Sequence, residues 1–422
     1  MIEEIQKRPF VRPLFLWITG ILCYAFLPTS LLLYVLGVLS ALVFLFLGFS
    51  WGRGHAELRY DSRWIWGAIV SVLIVCLAVE VCWYSDRRIA LVNEPASSLD
   101  LLATKAQYSL VNTFDRLRLS DEEKSILATL TLGYKKAMSR ETKRRFSLAG
   151  VSHILAVSGF HVAVICGFLS FFCSFMPKWG IGRWVRYIIL VGSLWGFVFI
   201  TGLAPSAVRA ALMLSLYLTG RALRRVTDGY NTLAAAAFCM LAYNPYYLFD
   251  VGFQLSYLAV FFILFLVPRF KEWIVVRNPL LAMPWEWITV SIAAQIGTAL
   301  LCFYYFGQFS TVFLFTNLPV TLLAMFLIPF AFLWLGYPVD FCGYDWIQKI
   351  VEGLVVDVFS VMPYATITGR FSFFEMLGGY GFLVLCLIYM KIREPKVLLA
   401  ALTLLLIISV KILIELFLIA GN

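Results

Sequence analysis

Long, unbroken apolar runs separated by short polar stretches make up most of this chain. The runs occupy residues 14–27, 31–49, 64–84, 151–176, 184–201, 206–223, 231–243, 247–267, 285–306, 310–335, 377–390 and 397–419. A helix that crosses a bilayer needs about 20 mostly apolar residues. The strands of a transmembrane barrel would instead alternate residue by residue. The pattern therefore predicts an all-α, polytopic transmembrane helical bundle of about 11 spans. It divides into N-terminal transmembrane helices (1–84), a more polar segment (85–150), a transmembrane core (151–365) and a C-terminal transmembrane hairpin (366–422). Lys7, Arg8 and Arg12 precede the first run, but no small-residue cleavage site follows it, so a retained first span is expected.

Two polar stretches interrupt the runs. In 98–119, Leu99, Leu102, Ala106, Leu110, Phe114 and Leu117 form one apolar stripe at helical spacing. Such a helix is expected to lie along the membrane surface. Ser120 stands three residues before Glu123, a capping-box pattern that opens a second helix, with Leu127, Leu130 and Leu132 on its buried face. The other stretch, 343–363, carries Lys349, Glu352 and Asp357 and makes a poor span. Just before it, Pro319 and Pro329 each remove a hydrogen bond from 310–335. A re-entrant segment is the expectation there, because broken helix in a membrane must be protein-buried or line a cavity.

Composition rules out some classes of protein. Hydrophobic residues are 62% and charged residues 14% of the 422, too apolar for a water-soluble enzyme or a disordered chain. The net charge of +10 is unevenly placed. Loops 177–186 (Lys178, Arg183, Arg186), 221–228 (Arg221, Arg224, Arg225) and 268–279 (Arg269, Lys271, Arg277) are basic, whereas those near 202–205, 244–250 and 307–309 have no Lys or Arg. The positive-inside rule puts the first set, and the N-terminus, in the cytoplasm and the second set outside. Segment 85–150 then lies outside. Its Lys135, Lys136, Arg140, Lys143, Arg144 and Arg145 are either a surface helix neutralised by nearby acids or a basic collar that receives a polyanion. The nine cysteines include no C-x-x-C pair, so neither a metal nor a disulfide framework is expected, and no cofactor is implied.

Polar groups inside apolar runs carry the candidate chemistry, since each is costly there. Ser158 and His161 are three apart, and His153 is eight before His161; they suit helix packing or a line of groups along a path. Pro205 fits a first helical turn, placing Ser206 and Arg209 three apart. Arg209 either snorkels or offers a fixed positive charge to phosphates. Asp250 and Gln254 open another run, and Asp250 is a partner for Arg209 at the same level. Asn317 stands beside the Pro319 break, and Gln295 is a further isolated polar group. A solute transporter, or an intramembrane enzyme using Ser158, His161 and Asp250, would draw on the same residues.

Three of these stretches carry a resemblance. The run Ser147 to Val164 with its HILAVSGFHV core, GLAPSAVRAALM from Gly202 to Met213, and NPYYLFDVGFQLSYLAV from Asn244 to Val260 resemble the ComEC family of bacterial competence membrane proteins over about 95–365. The resemblance implies a channel core that passes single-stranded DNA into the cytoplasm. His153, Ser158, His161, Ser206, Arg209, Asp250, Gln254 and Asn317 would line or shape the path, with membrane lipid around it. A separate DNA receptor, a nuclease and an ATP-driven motor would be partners, since this sequence has no P-loop pattern. Longer members carry an OB-like soluble domain where this chain has only 85–97, and a metallo-β-lactamase-like domain beyond the point where it ends. A nuclease activity is therefore not expected of this chain.

Overall fold

The computed structural model describes residues 8–28, 63–91, 98–155, 157–177, 179–310, 313–336, 348–353, 366–368 and 371–420, with scattered positions between 30 and 41. Most of the 31–49 run, of loop 51–63 and of 343–363 lies outside the described residues. The rest is all-α but for one small strand pair, as the apolar runs predict. The helices are α1 (Val11–Phe26), α2 (Arg63–Leu91), α3 (Ser98–Thr113), α4 (Asp121–Leu132), α5 (Arg140–Leu148), α6 (Ser152–Leu155), α7 (Gly159–Phe172) and α8 (Gly180–Ile200). They continue with α9 (Pro205–Ala222), α10 (Gly229–Tyr243), α11 (Val251–Trp273), α12 (Pro279–Phe306), α13 (Phe313–Gly336), α14 (Phe373–Ile392) and α15 (Pro395–Ala420). Among the described residues, six helices are long and apolar enough to cross a membrane, in α2, α8, α11, α12, α13 and α14. The chain is a multi-pass helical membrane protein.

It divides into two compact units. The first takes residues 1–137, 154–257 and 324–355. Here α1 packs on α2, α10 on α1, and α9 on α7, α8 and α10. Trp17, Ile21, Ala78, Cys82, Met240, Leu241 and Phe253 form its core. Gly20 allows the closest approach: a Cβ there would lie 2.6 Å from Ala78 Cβ and 2.8 Å from the Val75 carbonyl oxygen. Small residues that let two backbones meet are what holds apolar helices together when lipid is as apolar as they are.

The second unit takes 138–153, 258–323 and 356–422. Phe262, Leu266, Val267 and Ala293 form its core, with Leu383 and Leu387 packed on them. Strands β1 (Gln308–Ser310) and β2 (Thr366–Thr368) pair antiparallel, Phe309 opposite Ile367. Strands this short carry no periodic signal, and the sequence pattern predicts none.

Three expectations change. The 151–176 run is not one helix: α6 ends at Leu155 and α7 starts at Gly159, with Val157 and Ser158 non-helical between them. The 310–335 stretch, expected to be broken and re-entrant, is one continuous helix of 24 residues. Pro319 and Pro329 each remove one hydrogen bond, and the bonds on either side keep the helix intact, as in other apolar spans. The amphipathic stripe of α3 also shifts. Ala103, Gln107, Phe114 and Leu117 are buried, while Leu99 and Leu102 stand exposed, as suits a helix against lipid.

Candidate functional site

The first unit gathers its polar residues around the N-terminal turns of α9. Pro205 occupies the first turn, as the sequence predicts. Ser206 donates from Oγ to the Val157 carbonyl, so α9 holds the non-helical link that precedes α7. Ser158 caps α7: its N–H donates to His161 Nδ1 at 3.2 Å, and its Oγ lies 3.0 Å from the same nitrogen. Histidine here plays the part of the Glu or Gln of a capping box. His161 is fully buried. Ser158 and His161 therefore meet as a cap and its partner, not as neighbours on one face of a continuous helix.

One turn further along α9, Arg209 turns to α11. Its Nη1 lies 3.7 Å from Asp250 Oδ1, and its Nε donates to Ser256 Oγ at 3.2 Å. The arginine side chain is 7% exposed and the aspartate 51%. Asp250 also accepts the Phe253 N–H at 2.7 Å, capping α11. Gln254 donates to the Leu248 carbonyl at 2.9 Å and ties α11 back to the preceding turn. Gly252 leaves room for this ion pair: a Cβ there would stand 3.2 Å from both Arg209 Nη2 and Asp250 Oδ1. The Arg209–Asp250 pairing is as the sequence suggests, but Ser206 and Arg209 engage different partners.

Sequence reasoning missed Gln107. This buried residue of α3 donates to the Leu132 carbonyl at 2.6 Å and the Thr201 carbonyl at 3.2 Å. It thereby ties the surface helix to the end of α4 and to the turn before α9. A lone glutamine within an apolar stripe is the signal that could have found it. In this unit Lys135 and Lys136 are exposed.

The second unit holds the remaining candidates. His153 hydrogen-bonds the Asn317 side chain and the Gly150 backbone. Asn317 donates to Ser291 Oγ at 2.8 Å and accepts from Thr321 Oγ1 at 3.1 Å. Thr316 donates to the Ala149 carbonyl at 2.6 Å, and Gln308 to Ser147 Oγ at 2.7 Å. Gly150 makes the turn into α6 at φ +78°, with Ser310 Cβ only 2.7 Å from where its own Cβ would be. Arg140, Lys143, Arg144 and Arg145 are exposed on α5, which buries Thr142 and Phe146. Arg145 pairs with Glu141 at 3.6 Å. Gln295 is half-buried in α12.

Fold and site together define a multi-pass helical membrane protein whose polar side chains cap and cross-link helix starts. A family profile described as "Competence protein" matches residues 130–394. The chain belongs to that competence protein family. It is 28% identical to ComE operon protein 3 of Bacillus subtilis (strain 168) over 269 residues, 59% of this chain and 33% of that protein. It is 30% identical to an uncharacterized protein of Aquifex aeolicus (strain VF5) over 137 residues, 32% of each. The chain thus spans about a third of the length of these curated relatives. No solved structure matches it.

Proposed function

We propose that this chain is the membrane core of a DNA-uptake conduit that passes DNA, as a single strand, into the cytoplasm. The observation that carries the reading is the competence match over 130–394, which contains the collar and both polar groups. Lys136, Lys143 and Arg144, exposed at the start of that stretch, would meet the phosphates electrostatically. Arg209, Asp250, Gln254, Ser158, His161 and Ser206, and separately His153 and Asn317, would shape the path. The receptor, nuclease and ATP-driven motor are separate proteins in this reading. The chain sits in the inner membrane with its N-terminus in the cytoplasm.

Proteoliposomes test it. Labelled single-stranded DNA is added outside, and label that becomes nuclease-protected is counted at two salt concentrations. Entry above protein-free vesicles, reduced in Arg209→Ala that still accumulates in the membrane, is the expected result. Surface binding that salt removes, with no protected label, would sink the conduit reading and leave only collar electrostatics.

A further inference from the structure

In the first unit, away from the polar groups on α9's first turns, a cavity of about 220 Å³ opens where α7, α8 and α9 meet. Its polar lining is Ser170, Arg183, Arg186, Tyr187 and Arg221, with Leu190 and Leu218 as apolar wall. Three arginines line one small space, and no carboxylate is among its lining residues. Some other basic side chains have acids at hand: Arg8 with Asp228 at 3.2 Å, Lys271 with Glu286 at 2.6 Å. Arg183 differs. Its Nε and Nη1 are buried with no hydrogen-bond partner among the described residues. Buried guanidinium donors left without an acceptor are expensive, and three like charges together add repulsion. Both are relieved by an anion with several oxygens, and a planar guanidinium matches phosphate best.

The surroundings select the carrier of that phosphate. Phe175 (86% exposed), Trp179, Trp184, Ile188 and Leu223 stand exposed at the same helix ends. Aromatic and aliphatic side chains bare at the ends of apolar helices mark the level of lipid headgroups. The volume is below the roughly 300–1,000 Å³ of pockets that enclose a whole small molecule. It suits a headgroup phosphate whose acyl chains run along the apolar helix faces. We propose that this arginine cavity is a binding site for an anionic phospholipid, such as phosphatidylglycerol. Basic pockets between transmembrane helices hold such headgroups on general electrostatic grounds.

The test uses the full chain, delipidated in neutral detergent and examined by native mass spectrometry. Phosphatidylglycerol, phosphatidylcholine, inorganic phosphate and oligothymidylate are added separately and in competition. Retention of phosphatidylglycerol well above phosphatidylcholine is expected, falling about tenfold in Arg183→Gln and in Arg221→Gln, the order of one charge-assisted hydrogen bond lost. Arg183→Lys should retain an intermediate amount, because it keeps the charge without the fork. Arg225→Gln removes an exposed arginine outside the cavity and should change nothing. Equal retention of both lipids, or an equal loss in Arg225→Gln, overturns the site. So does occupancy by inorganic phosphate or oligothymidylate that phosphatidylglycerol does not displace. Each variant is scored only as a monodisperse species in gel filtration, and Arg183→Lys serves if either Gln variant aggregates.

Discussion

At Arg209 the asymmetry of burial decides what each partner contributes. The guanidinium is almost wholly enclosed, while half of Asp250 still reaches solvent. Removing the aspartate strands a buried charge. Removing the arginine leaves a carboxylate that solvent can hold, and Asp250 keeps its cap on α11. Asp250→Asn should therefore destabilise the protein by about 1–3 kcal/mol, and Arg209→Met by less, because apolar replacement of a buried charge is often well tolerated. Thermal unfolding of both variants in the same detergent gives the order. The reverse order would mean that Asp250 does not hold Arg209, and that the guanidinium relies on Ser256 or on another group. Gly252 belongs to the same argument: its missing Cβ leaves space for the pair.

At the level of elements, the break between α6 and α7 shows why a span can look continuous in sequence and not be so. Residues 151–176 are apolar enough for one helix, yet the chain leaves helical geometry at Val157 and restarts under a Ser158 cap. Ser206 holds the break from a distant part of the chain, and apolar periodicity carries no trace of that bond. If capping is the role of His161, Gln should replace it, since Gln occupies that position in ordinary capping boxes. His161→Gln should unfold close to wild type, and His161→Ala should lose about 0.5–2 kcal/mol. A stable His161→Gln that no longer carries DNA would show instead that the imidazole acts on the path. The local features were legible: the Ser120–Glu123 box, Pro205 opening α9 and the helices themselves. Opposite charge at one level also made the distant pair Arg209 and Asp250 legible. Most else that depends on partners far along the chain was not. Gln107 reaching Leu132 and Thr201, β1 pairing with β2, and the continuity of α13 through two prolines each rest on tertiary contacts or on the membrane environment.

For the whole molecule, the placement of charge and the direction of the helices in the second unit bear on one another. Counting spans from the sequence alone leaves loop 391–396, with Lys391, Arg393 and Lys396, on the wrong side unless 310–335 is re-entrant or 343–363 crosses. The strand pair bears on the side of that loop. β1 follows directly on the end of α12, and β2 lies just before α14, so their pairing brings the end of one helix level with the start of the other. Tyr380 near the start of α14 donates to the Gly297 carbonyl near the end of α12, and Gly379 faces Leu300, as an antiparallel pair requires. The far end of α14 then shares a side with the start of α12, where Arg269, Lys271 and Arg277 lie nearby in sequence. Both basic loops thus satisfy the positive-inside rule together. Extended through the alternating loops, this orientation puts Lys136 outside and Arg225 in the cytoplasm. Lys136→Cys and Arg225→Cys, each in a chain lacking its nine native cysteines, can be probed with a membrane-impermeant thiol reagent. In intact spheroplasts Lys136→Cys should be labelled, and Arg225→Cys only after the membrane is opened. The opposite pattern would invert the whole assignment. It would also place the exposed cations of 135–145 on the cytoplasmic side, where they could not receive DNA arriving from outside.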